Sequence, residues 1–161
     1  MSQAPQQHEE IRITWEDFHH HAQALSKQLK DIHAWQGIIA IARGGLIPAA
    51  IIAEELNIRL IDTVCISSYN NKNGGSYAQQ SELEVFKTID SDGHNLLLID
   101  DLVDSGKTAA FVKALLPKAH LATLYAKPAG KAYVNTFVKE FEQHQWIVFP
   151  WESHGTASIS F

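Results

Sequence analysis

The sequence predicts an α/β domain: a mostly parallel central sheet with helices on both faces. Strand-like aliphatic runs alternate with helix-like segments along the chain. The run Leu96–Ile99 is apolar without interruption, as in strands covered on both sides. Two acids, Asp100 and Asp101, follow it at once, so polar groups begin where such a strand ends. In open α/β sheets that end is where ligands bind.

The first helix starts at Thr14, which pairs with Asp17 in the manner of a capping box, and Phe18, Ala22, Leu25 and Leu29 then recur at helical spacing. His19, His20 and His21 lie within it. Consecutive helical side chains diverge by about 100°, so the three do not close on one metal ion. Gly37 to Ala42 reads as a strand, Pro48 to Leu56 as a helix, and Leu60 to Ser67 as a strand that includes the single cysteine, Cys65. One cysteine forms no internal disulfide, and its apolar neighbours predict a buried, inert thiol. Residues 70–81 are rich in Asn, Gly, Ser and Gln and predict a mobile loop. Leu96 to Asp100 is the central strand, Ala109 to Leu116 a helix, and Leu121 to Ala126 a further strand. The apolar run Trp146 to Phe149 comes near the end.

At 161 residues the chain has the size of one domain, 1–161, with a polar N-terminal extension over 1–10. A net charge of −5 argues against generic nucleic-acid binding, which needs a basic face. No apolar run approaches a membrane span and the first residues lack a signal-peptide core, so a cytoplasmic protein is expected.

The segment from Leu96 to Thr108 carries the most chemistry. After Asp100 and Asp101, Asp104, Ser105, Gly106, Lys107 and Thr108 offer a carboxylate, hydroxyls and open backbone before a helix. A helix N-terminus is a ready anion site, especially for phosphate. Acids beside it suggest sugar hydroxyls or a divalent metal bridging to phosphate, so the implied ligand is a phosphorylated sugar with Mg²⁺. Gly106-Lys107-Thr108 also ends like a Walker loop, but Asp101 stands where that loop needs its first glycine. The dinucleotide G-x-G-x-x-G pattern is absent.

The pattern of aliphatic residues, two acids, two aliphatics, then Asp, a hydroxyl residue, Gly, any residue and Thr resembles the phosphoribosyl-diphosphate signature of type I phosphoribosyltransferases. Gly37 to Ala49, Asp62 to Tyr69, Ala126 to Gly130 and Trp146 to Trp151 extend the likeness to the bacterial xanthine-guanine phosphoribosyltransferases, from about Ile13 to Trp151. The resemblance implies the type I fold with a small base-binding hood. It also implies transfer of phosphoribose from 5-phosphoribosyl 1-diphosphate to guanine, xanthine or hypoxanthine with Mg²⁺ as cofactor. Two alternatives share the fold: a regulatory protein that senses phosphoribosyl diphosphate, and a hypoxanthine-specific transferase. The resemblance further implies a homodimer or homotetramer, sometimes loosely associated with the inner membrane.

The same resemblance distributes the tasks. Arg43 and Gly44 match the pyrophosphate loop, with a cis peptide expected at Ala42–Arg43. Asp100 and Asp101 take the ribose hydroxyls, and Asp101 also the metal. Leu102 and Val103 continue the phosphoribosyl-diphosphate signature, and Asp104 to Thr108 hold the 5′-phosphate. Asp104 is the candidate general base near purine N7 and Lys127 the donor to the purine 6-oxygen. Trp146 is the stacking aromatic and Ile147 the backbone contact at the 2-substituent edge. Read on their own, Trp146 would be a core aromatic and Lys127 a solvated loop lysine. Where the family commonly has a basic residue before a Glu-Leu pair, this chain has Ser81, which leaves Lys72 or Lys87 as candidates for that charge.

Overall fold

The computed structural model describes residues 9–69, 82–87 and 89–152. Eight strands and three α-helices follow one another: β1 (Glu10–Arg12), α1 (Trp15–Ile32), β2 (Gly37–Ala42), α2 (Leu46–Leu56), β3 (Ile61–Tyr69), β4 (Glu82–Lys87), β5 (Leu96–Val103), α3 (Lys107–Leu115), β6 (His120–Ala126), β7 (Thr136–Glu140) and β8 (Trp146–Val148), with a 3-10 turn at Lys131–Tyr133, counted among the described residues. The central sheet runs β4-β3-β2-β5-β6-β7 and is parallel except where β4 pairs antiparallel with β3.

Alternation along the strands sorts the core into two layers. Ile38, Ala40, Leu97 and Ile99 face α1 and α2, where Phe18, Ala22, Leu25, Leu29 and Ile52 are buried. Ile39, Ile41 and Leu98 face the other way, against Ala109 and Val112 of α3. Both faces of β2 and β5 are therefore covered, as their uninterrupted apolar runs require. The Thr14 hydroxyl accepts from the Asp17 amide at 3.0 Å, so α1 starts where its cap stands.

A second, two-stranded sheet stands apart: β1 pairs in parallel with β8, Ile11 opposite Ile147. Phe149 and Trp151 follow β8 and stack at 4.7 Å between ring centroids, and Phe18 of α1 meets Trp151 edge-on at 4.9 Å. This aromatic group anchors the small ribbon to the main core.

The structure corrects several boundaries. The central strand runs on through Asp100 and Asp101 to Val103, because β6 beside it continues to pair, Leu102 with Tyr125 and Val103 with Ala126. Its ladder to β2 stops at Ile99 opposite Ala40, so both acids lie beyond the last paired residue, beside the final residues of β2. Helix α2 begins at Leu46, ahead of Pro48; a proline is tolerated in a first turn, where its missing N–H has no intrahelical partner. Helix α3 likewise starts at Lys107 and ends one residue short of Leu116. Cys65 is half-buried instead of buried, because its strand lies one place from the sheet edge. The N-terminal extension gives way at Glu10 to a strand of the ribbon. The loop expected at 70–81, with Lys72 and Ser81, and the side chain of Lys87 lie outside the described residues. None of the described helices is long and apolar enough to cross a membrane.

Candidate active site

Two parallel strands deliver the first half of the site. Strand β2 ends in a cis peptide at Ala42–Arg43, as the resemblance implies, and Arg43 and Gly44 turn the chain into α2. Across from them, near the end of β5, the Asp101 carboxylate packs against Gly44 in space that a larger residue would need. Arg43, Gly44, Asp101, Trp146, Trp151 and Glu152 are among the walls of an open cavity of about 810 Å³.

The two neighbouring acids are held by the backbone. Asp100 Oδ1 accepts from the Asp101 amide at 2.9 Å, and Asp101 Oδ1 accepts from the Leu102 amide at 2.6 Å. Burial pushes the Asp100 carboxyl well above the ordinary carboxylate range, and the charge of Asp101 adds to it. Burial also raises Asp101, to about 6, against the lowering effect of its hydrogen bonds. Two half-buried carboxylates that resist ionisation are a site that gains from a nearby cation. Among the described residues no group of three or more His, Cys, Asp or Glu could hold a metal alone. A carboxylate pair fits magnesium, which takes one or two protein carboxylates and completes its shell from substrate oxygens and water.

The second half follows β5 without a break. Asp104, Ser105, Gly106, Lys107 and Thr108 line a pocket of about 130 Å³ together with Asp100 and Leu102. Gly106 has φ +84°, and a Cβ there would collide with the Tyr133 ring. Val103 is buried in the core, so only its backbone is available to the site.

Beyond the loop, Lys127 is 3% exposed, and its Nζ lies 3.0 Å from Asp104 Oδ2. Lysines are almost never so buried without a partner. It is neither a solvated loop residue nor free to point elsewhere. Trp146 departs in the opposite sense from its isolated reading: it is 58% exposed, a large ring on the cavity wall instead of in the core. Ile147 beside it is buried in the core.

The structure thus gathers Arg43, Gly44, Asp101 and Trp146 around one cavity and Asp100 with Leu102 to Thr108 around a second pocket, with Lys127 joined through Asp104. Sequence reasoning missed Gln143, whose Nε2 donates to Asp104 Oδ1 at 2.7 Å. It also missed Glu152 and the two residues of β1, Glu10 and Arg12, on the cavity wall. No sequence signal marks them, since their place depends on the pairing of β1 with β8.

Comparison with known proteins shows the family. Residues 14–154 match the phosphoribosyl transferase domain, and the chain belongs to that family. Within it, the chain is 53% identical over 141 residues to a xanthine-guanine phosphoribosyltransferase of Desulfotalea psychrophila, covering 88% of this chain and 85% of that protein. It is 50% identical over 153 residues to one from Nitratidesulfovibrio vulgaris, covering 95% and 91%. The crystal structure of a purine phosphoribosyltransferase from Pyrococcus horikoshii shares the fold, with a TM-score of 0.77 at 24% identity over 94% of this chain and 99% of the other.

Proposed function

We propose that this chain salvages oxo purines, transferring the phosphoribosyl group of 5-phosphoribosyl 1-diphosphate to guanine, xanthine or hypoxanthine. The products are GMP, XMP or IMP and pyrophosphate. The observation that carries the purine assignment is the buried Lys127 ammonium fixed on Asp104 at the end of the phosphate loop. A donor there suits a purine 6-oxygen and disfavours the 6-amino group of adenine, itself a donor.

In the reaction the bond between ribose C1 and pyrophosphate breaks, a bond from C1 to a purine ring nitrogen forms, and the purine gives up a proton. Arg43, with Gly44 open beside it, holds the leaving pyrophosphate through forked, charge-assisted bonds. Asp104 to Thr108 and the start of α3 hold the 5′-phosphate. Asp100 and Asp101 bind the ribose hydroxyls, and Asp101 would also hold Mg²⁺. Held there, the ion would supply positive charge that offsets the charge of the leaving group. Trp146 stacks on the base and the Ile147 backbone meets its 2-substituent edge. Asp104 takes the proton at N7. Fixing both reactants in line is worth up to ~7–11 kcal/mol in well-oriented cases.

A homo-oligomeric, cytoplasmic enzyme belongs to the same reading, and light scattering tests the first part. The assay that tests the whole follows absorbance with phosphoribosyl diphosphate and Mg²⁺ while guanine, xanthine, hypoxanthine and adenine are offered separately. Turnover of the oxo purines but not adenine is expected. Phosphoribosyl-diphosphate binding without turnover of any purine would move the protein to the regulatory class.

A further inference from the structure

The Asp104 carboxylate is held at both oxygens, by two different parts of the chain. Lys127 Nζ donates to Oδ2 at 3.0 Å and Gln143 Nε2 to Oδ1 at 2.7 Å. The orientation of the Gln143 amide is fixed independently, because its Oε1 accepts from the Ala129 backbone N–H at 2.9 Å, a group that only donates. Its Nε2 therefore faces the carboxylate. The turn that carries Gln143 is itself tied: the Glu142 amide donates to Gln145 Oε1 at 2.8 Å, and the Gln145 amide donates to the Glu142 carbonyl at 3.1 Å. The two loops also touch directly, since a Cβ on Gly130 would stand 2.6 Å from the Asp104 carbonyl oxygen.

These two donors are not equivalent once a purine is bound. In the reading proposed above, the Lys127 ammonium turns part of its hydrogen bonding to the 6-oxygen of the base. Gln143 has no such second task toward the substrate, as its other end is held by Ala129.

We infer that Gln143 is a positioning residue: it fixes the plane of the Asp104 carboxylate while Lys127 is shared with the base. The inference rests on Asp104 being the proton acceptor. Loss of the amide donor leaves Asp104 free to rotate, and a misplacement of about 1 Å at a reacting group costs on the order of 10²-fold in rate.

Two variants and one background test it. Gln143→Met removes both amide bonds at similar length; Gln143→Glu keeps an oxygen toward Ala129 but replaces the donor toward Asp104 by a second acceptor and adds a negative charge there. Both are expected to lower kcat at least tenfold with KM for phosphoribosyl diphosphate within about twofold, as for an interaction needed chiefly in the transition state. In an Asp104→Asn background, Gln143→Met is expected to cost little more, the non-additivity of residues acting as one unit. Retention of kcat by Gln143→Met would overturn the inference, because neither amide bond would then be needed. So would an equal loss from Gln143→Met in both backgrounds. Wild-type turnover in Asp104→Asn itself would remove the base assignment and this inference with it, whereas its loss beside an unaffected Gln143→Met would remove the inference alone.

Discussion

The Asp101 carboxylate occupies the space a side chain on Gly44 would need: Oδ2 lies 2.6 Å from the position of a Cβ there. Real Cβ atoms do not approach that closely, so the Arg43–Gly44 turn and the acid pair share one fitted contact. Gly44→Ala is expected to push Asp101 or the Arg43 loop out of place, costing about 1–3 kcal/mol as overpacking does. Turnover should fall at least tenfold, and steady-state kinetics beside a thermal melt would separate the lost activity from the smaller loss of fold.

Asp101 sets a stability–function trade that changes with pH. Burial raises its folded value from 3.8 to about 6, so the folded state holds the proton more tightly than the unfolded chain. Stability then falls as pH climbs from about 4 through about 6 and levels off above. Asp101→Asn removes the buried charge and is expected to stabilise the metal-free protein at pH 7.5 by on the order of 1–3 kcal/mol, with little gain at pH 4. The same variant should lose nearly all turnover. Urea melts at the two pH values check the first part, and an unchanged difference between them would sink it.

Lys127 is buried, yet its partner Asp104 has a side chain half exposed to water. Removing the lysine therefore strands no carboxylate in the core, and Lys127→Met keeps the packed stem. Stability is expected to change by less than about 1 kcal/mol. KM for the oxo purines should rise tenfold or more while KM for phosphoribosyl diphosphate holds. A denaturant midpoint that collapses would show the ion pair to be structural.

Phe18 has no exposed surface and meets both Phe149 and Trp151 edge-on. Phe18→Ala should cost about 3–5 kcal/mol, the usual figure for deleting a buried aromatic. Because Trp151 also lines the cavity, KM for the base should rise in the surviving folded fraction; chemical unfolding and kinetics at low temperature measure the two effects.

The legible parts of this chain are those where one property fixes the answer. Uninterrupted aliphatic runs marked β2 and β5 because both faces are covered, and the Thr14 cap with Phe18, Ala22, Leu25 and Leu29 marked α1. The length of β5 was not legible: hydropathy reports buried side chains, while the ladder to β6 persists through two carboxylates. Strand β1 was hidden too, since Glu10, Ile11 and Arg12 include a single apolar residue and owe their extended form to β8. Trp146 read as core from its apolar neighbours because hydropathy does not tell a wall from an interior. Gln143 gave no sign, being a turn glutamine whose two partners, Asp104 and Ala129, meet only in the folded chain.

The ribbon of β1 and β8 joins the earliest described residues to some of the latest: Gln145 donates to Glu9 across 136 positions. During synthesis the loop from Asp104 to Thr108 emerges well before β8, and β1 has no partner until β8 follows. A chain cut between the two therefore carries every residue proposed for the sugar and its phosphates, yet leaves β1 unpaired and lacks Trp146, Val148, Trp151 and Glu152 from the cavity wall.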